Sequence, residues 1–94
     1  MARIVWSPDA AADLEEICDY IAENSELYAR VFAQGIINAI ERLQIFPESG
    51  RIVPEYNQKD MREIIFQNYR IVYRIRSDAI EIVTITHGAR LMGD

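Results

Sequence analysis

Apolar residues recur along this chain in two rhythms. Leu14, Ile17, Cys18 and Ile21, and then Tyr28, Phe32, Gly35, Ile36, Ala39, Ile40 and Leu43, return every three or four positions, the spacing that lines one face of a helix. Beyond residue 60 the rhythm shortens to two, which is the period of a half-buried strand. Punctuation falls between the periodic runs. Ser7-Pro8-Asp9 supplies a cap, a residue suited to the first helical position and a carboxylate at the positive end of the helix dipole. Asn24-Ser25 breaks the first helix, and Ser25 can cap the second. The second helix is predicted to run from Leu27 to about Ile45 and to stop before Phe46-Pro47, because a residue preceding proline avoids helical angles. A short link between two amphipathic helices makes an αα-hairpin.

Ahead of the helices, Arg3-Ile4-Val5-Trp6 reads as a first strand. Residues 47–60 read as a loop with two prolines and a glycine. Three strands then follow: 62–66, 69–76 and 79–86, joined by Gln67-Asn68 and Ser77-Asp78. Two-residue polar turns between alternating runs indicate an antiparallel meander. The fold class is therefore α+β: an N-terminal strand, an αα-hairpin and a three-stranded antiparallel meander forming one sheet packed on the helices. Gly35, inside an apolar stripe, marks the close approach of another backbone, expected to be the first helix.

The 94 residues make one domain, 1–94, of ordinary globular composition. A domain this small buries a modest core, which gives a binding partner room to add stability. Cys18 is the only cysteine, so no internal disulfide is possible, and its place in the helical stripe makes it a core residue. No apolar stretch is long enough to span a bilayer and none resembles a signal-peptide core, so no membrane association and a cytoplasmic location are expected. One histidine and one cysteine do not make a zinc site, and no glycine-rich phosphate loop is present; neither a metal nor a cofactor is expected.

The net charge of −5 argues against simple nucleic-acid binding, but its distribution is uneven. Residues 1–50 hold three basic residues (Arg3, Arg30, Arg42) against nine acidic ones. Residues 51–94 hold seven basic against six acidic, and six of those seven are arginines, suited to bidentate contact with carboxylate or phosphate. In the middle strand of the meander Tyr69, Ile71, Tyr73 and Ile75 share a core face. Arg70, Val72, Arg74 and Arg76 share the other, which is expected to meet water or a ligand. With a two-residue loop at Ser77-Asp78, Arg74 lies opposite Glu81 and Arg70 opposite Ile85. An Arg74–Glu81 ion pair follows, as does a face shared by Arg70 and His87. Arg70 then has no acidic neighbour and is the candidate for an external anion. A two-residue turn at Gln67-Asn68 puts Ile65 on the Arg70 face and Arg62 on the opposite one; a bulge would reverse this. His87 can act as acid or base near neutral pH, or can simply end a strand.

Five segments taken in order resemble the RelE/ParE toxin superfamily over nearly the whole chain: Trp6-Ser7-Pro8-Asp9-Ala10 leading to Asp13-Leu14 and Ile17; Phe46-Pro47-Glu48-Ser49-Gly50-Arg51; Arg62-Glu63; Tyr69-Arg70-Ile71-Val72-Tyr73-Arg74; and His87-Gly88-Ala89-Arg90. The resemblance implies a toxin of a type II toxin–antitoxin module, neutralised by a cognate antitoxin that docks as a helix or strand in apolar grooves. It implies one of two targets: messenger RNA in the ribosomal A site, or DNA gyrase. Arg62, Arg70 and Arg90 stand where the family carries basic residues, with Arg51 and His87 behind them as further members of a toxicity surface. In a nuclease such residues would stabilise the charge of the transition state. Two nuclease features are missing: Ile64 and Ile65 occupy the place of a second basic residue on the first strand of the meander, and the C-terminal segment lacks the catalytic tyrosine of many RelE-like members. A sequence pI near 4.8 gives little attraction to RNA. The balance favours a ParE-like gyrase inhibitor, with a RelE-like mRNA interferase as the alternative and a non-toxic binding module as a third reading.

Overall fold

In a computed structural model, which describes residues 1–88, the elements follow in the order β1 (Arg3–Trp6), α1 (Pro8–Ala22), α2 (Glu26–Glu41), β2 (Arg51–Ile52), β3 (Met61–Phe66), β4 (Tyr69–Ile75) and β5 (Ala79–His87). The strands form one mixed sheet in the order β1-β5-β4-β3-β2. β1 runs parallel to β5, and every other neighbour is antiparallel. This is the expected α+β fold, widened at one edge. The segment 47–60, read from sequence as a loop, contains the short strand β2 and a single 3-10 turn at Pro47–Ser49.

Both predicted caps form: Ser7 Oγ accepts from Ala10 N and Ser25 Oγ from Tyr28 N, each at 3.0 Å. The second helix ends at Glu41 and tightens into a 3-10 turn, Arg42–Gln44, before Pro47. Its stripe of Phe32, Ile36, Ile40 and Leu43 packs against Ile71, Tyr73, Ile80, Ile82 and Ile85 of the sheet. Each such burial is worth about 1.5–3 kcal/mol, which makes this layer the main source of stability. Gly35 meets a different neighbour from the one expected. The ring of Phe66 on β3, not helix α1, lies where a Cβ would stand.

The other face of the sheet carries a second, smaller core. Val53, Met61 and Val72 are buried there with Val83 beside them, because the β2–β3 connection turns back over this face. The expectation that the Arg70 face meets solvent is corrected accordingly: Val72 is 0% exposed and Arg70 only 3%.

A bulge in β5 sets what faces what. Val72 pairs with Thr84 and Tyr73 with Ile82, so Val83 is an extra residue. The cap and second turn of α1 hold it in place. Ser7 Oγ donates to Val83 O at 2.8 Å, and Asp13 Oδ2 accepts from Thr84 Oγ1 at 2.7 Å and Ile85 N at 3.0 Å. Arg70 consequently lies opposite Thr86, not Ile85, and Tyr69 lies opposite His87. Removing the Asp13 carboxylate leaves a strand amide and a hydroxyl without their acceptor, so Asp13→Ala is expected to lower stability by about 1–3 kcal/mol. Urea denaturation would show it, and Asp13→Asn, which keeps one acceptor oxygen, should lose less.

Candidate functional site

The Phe46–Arg51 motif and Arg62 build a clamp, not an open surface. Tyr73, wholly buried on the helix face of β4, donates its hydroxyl to Pro47 O at 2.6 Å and accepts from Gly50 N at 3.0 Å. Burial pushes this phenol up from its ordinary pKa, so it stays a neutral donor. A Cβ on Gly50 would stand 2.6 Å from both Glu63 O and the Tyr73 hydroxyl, which is why the position is glycine. Arg62 lies on this same face, as the two-residue turn required, directly across from Tyr73. Its guanidinium donates to three carbonyls: Lys59 O at 3.0 Å, Glu48 O at 3.2 Å and Gly50 O at 3.0 Å. Arg62 is thus spent on holding the link between α2 and β2 against the sheet.

Arg51 and Arg70 meet on the opposite face, around a carboxylate that sequence reading passed over. Glu63 has a fully buried side chain, and its two oxygens are held from two sides. Arg51 Nε binds Oε2, and Arg70 Nε donates to Oε1 at 2.7 Å. The far side of the Arg70 guanidinium grips Glu55, with Nη1 to Oε2 at 3.0 Å and Nη2 to Oε1 at 3.1 Å. That is the two-pronged geometry with which arginine holds a carboxylate or phosphate. The Glu55 hydrogen bonds, aided by Glu63 against the desolvation, hold Arg70 above its usual pKa. The expectation that Arg70 lacks an acidic partner is therefore corrected. The clue was in the sequence: the turn register that puts Ile65 beside Arg70 puts Glu63 on the same face by simple alternation. Glu55 had no such clue, because it arrives from a turn 15 residues away.

Two further expectations change. Arg74 does lie opposite Glu81, but Glu81 pairs with Arg76, at 2.7 Å. Arg74 instead approaches Asp60, at 3.9 Å, and donates to Met61 Sδ. His87 does not share the Arg70 face. The extra residue at Val83 turns it toward the helix side, where its ring meets that of Tyr69 edge-on at 5.8 Å. The fifth expected residue, Arg90, lies outside the described residues. Among the described residues, then, Arg51 and Arg70 converge on Glu63, while Arg62 and His87 lie at separate places on the other face of the sheet.

Burial, with Asp19 adding to it, raises the pKa of the Cys18 thiol, which suits a packing residue and not a nucleophile. Among the described residues no three metal-ligating side chains of the His, Cys, Asp and Glu set lie together, and no helix is long and apolar enough to cross a membrane.

Comparison with known proteins places this architecture. The chain is 37% identical over 92 residues to Toxin RelE2 of Caulobacter vibrioides, covering 97% of this chain and all of that protein. It is 38% identical over 88 residues to the putative toxin Y4kP of Sinorhizobium fredii, covering 90% of this chain and 86% of that one. Its fold superimposes on a chain of the chromosomal ParDE toxin–antitoxin system from P. aeruginosa with a TM-score of 0.76, at 24% identity, covering 93% and 96% of the two chains. The profile of the ParE toxin of the type II toxin–antitoxin system parDE matches residues 4–92. The two-helix layer, the five-stranded sheet and these matches agree: the chain belongs to the ParE toxin family, the toxin half of a type II module whose other half is an antitoxin.

Proposed function

We propose that this toxin arrests growth as a protein ligand of DNA gyrase and performs no nuclease chemistry of its own. The observation that carries the reading is the state of the sheet arginines. Arg70 is 3% exposed and bound to Glu55 and Glu63, Arg51 shares Glu63, and Arg62 holds three backbone carbonyls. A nuclease that stabilises developing charge needs donors aimed at the reacting phosphate, and these donors are aimed at the protein's own acceptors. The net charge of −5 adds no long-range attraction to RNA. A gyrase ligand needs only a specific protein interface. Gyrase and the translating ribosome are both cytoplasmic, so the toxin acts in the cytoplasm, with the antitoxin covering it until needed.

The test is direct. Purified toxin added to gyrase and supercoiled DNA should accumulate cleaved DNA, and expression without antitoxin should raise DNA-damage signalling while transcripts stay intact. Codon-phased cuts in messenger RNA on translating ribosomes, with gyrase unaffected, would establish the mRNA interferase reading instead. Unimpaired growth on expression without antitoxin would point to a non-toxic binding module.

A further inference from the structure

The fold uses one face of helix α2 and leaves the other in solvent. Phe32, Ile36, Ile40 and Leu43 are buried against the sheet. On the opposite side Leu27, Val31, Gln34 and Asn38 are exposed and follow one another at steps of four, three and four residues. That is the spacing of a coiled-coil seam, with Leu27 and Gln34 at d positions and Val31 and Asn38 at a positions. Leu27 is 64% exposed and Val31 57%, although both are apolar. One turn apart on the same face, they form a patch of the kind that marks contact with another protein. The two flanks of α2 differ in charge. On one side lies α1, which packs against α2 and β5 and carries exposed Glu15, Glu16 and Asp19 with no basic residue. On the other side Gly35 faces Phe66 of β3, and a depression of about 470 Å³ opens between α2 and β3 beside Arg42 and Arg51.

We propose that the toxin free of antitoxin is a two-fold dimer in which α2 packs along α2 of a second copy, the two helices running parallel. The side chains select this occupant. A β-branched residue at a with leucine at d favours two parallel strands, and an asparagine at an a position fixes the register by facing its own copy. Val31, Leu27 and Asn38 supply these three features. Gln34 Nε2 donates to Asn38 Oδ1 at 2.9 Å, which orients the Asn38 amide on the seam. Charge selects the same occupant. A two-fold axis parallel to α2 exchanges the flanks, so α1 of one copy lies over the α2–β3 depression of the other. The acidic α1 face thereby meets Arg42 and Arg51, and does so twice, as an isologous contact requires. The acidic N-terminal half and the arginine-rich C-terminal half become complementary surfaces. This dimer is independent of whether gyrase or the ribosome is the target.

Sedimentation velocity on the purified toxin should show a dimer that dissociates on dilution. Val31→Glu sets two carboxylates against each other across the axis. One substitution acts on both halves of the interface, so the dissociation constant should rise on the order of 100-fold. Arg42→Glu should raise it about 10-fold. Both positions are exposed, so the circular dichroism of each variant should match wild type. Cross-linking reads the direction of the helices. Asn38→Cys should form a disulfide-linked dimer with oxidised glutathione, because parallel helices bring equivalent a positions within disulfide reach. Glu16→Cys should not, nor should wild type, which carries Cys18 alone. A toxin that stays monomeric at every concentration would overturn the dimer; if Val31→Glu then weakens the complex with the antitoxin, the seam belongs to that partner. A dimer indifferent to Val31→Glu, or Asn38→Cys protein that remains uncross-linked, would overturn it equally.

Discussion

Arg70→Ala is expected to lower the unfolding free energy by about 3–5 kcal/mol, the usual penalty for breaking a buried ion pair from one side. The substitution leaves the Glu63 carboxylate, whose side chain is 0% exposed, with only the two-thirds-exposed Arg51 for company. The loss falls on a small domain whose whole stability is on the order of 5–15 kcal/mol. Urea denaturation should show a markedly lower midpoint, and cells should lose both soluble protein and toxicity. By itself that loss of toxicity would look like loss of a catalytic residue. The double variant Arg70→Met/Glu63→Leu separates the two explanations. Removing both charges together and filling the space with apolar side chains is often neutral, and Glu55, partly exposed, can return to solvent. The double variant should regain most of the stability, and with it the toxicity, if the arginine is structural. Arg70→Ala unfolding at the wild-type urea concentration would falsify the structural assignment, as would a stable double variant that stays inactive on gyrase.

Phe32→Ala should cost about 3–5 kcal/mol. Phe32 is 1% exposed and is where helix α2 meets the β3–β4 hairpin. Its ring lies 5.5 Å from that of Phe66 and 5.4 Å from that of Tyr69, both edge-on, the arrangement that aromatic quadrupoles favour. Phe66 reaches this place because Gly35 leaves room for it, and Tyr69 passes the contact on to His87. Truncation therefore opens a cavity and also loosens both sides of the hairpin turn. The expected signs are a lower urea midpoint and faster amide exchange at Phe66, Tyr69 and His87. A change of the size seen at ordinary surface positions, about 0.5 kcal/mol, would mean that the hairpin is held chiefly from elsewhere.

Most of the scaffold is legible in the sequence because its determinants are local. Helix periodicity, the serine caps, Pro47 and the two-residue turns act within a few residues, and each appears where it was expected. The same holds for the side of the sheet taken by Arg62 and for the core face of β4, since alternation and turn length determine both. What the sequence left open depends on contacts between distant segments. The bulge at Val83 sits in a continuous run of β-branched residues, where one extra position leaves no mark. Ser7 and Asp13, some seventy residues away, hold it there. That single residue moves His87 off the face of Arg70. The fate of the arginines is also tertiary. An arginine on an exposed-looking strand face carries the same sequence pattern whether it meets solvent or an acid, and only the fold brings Glu55 over Arg70 and buries Glu63 beneath it. The sequence by itself thus determined the toxin fold and the arginine-rich half. The tertiary structure decided that these arginines serve first to hold that half together, because burying a guanidinium requires acceptors that only a folded chain can supply.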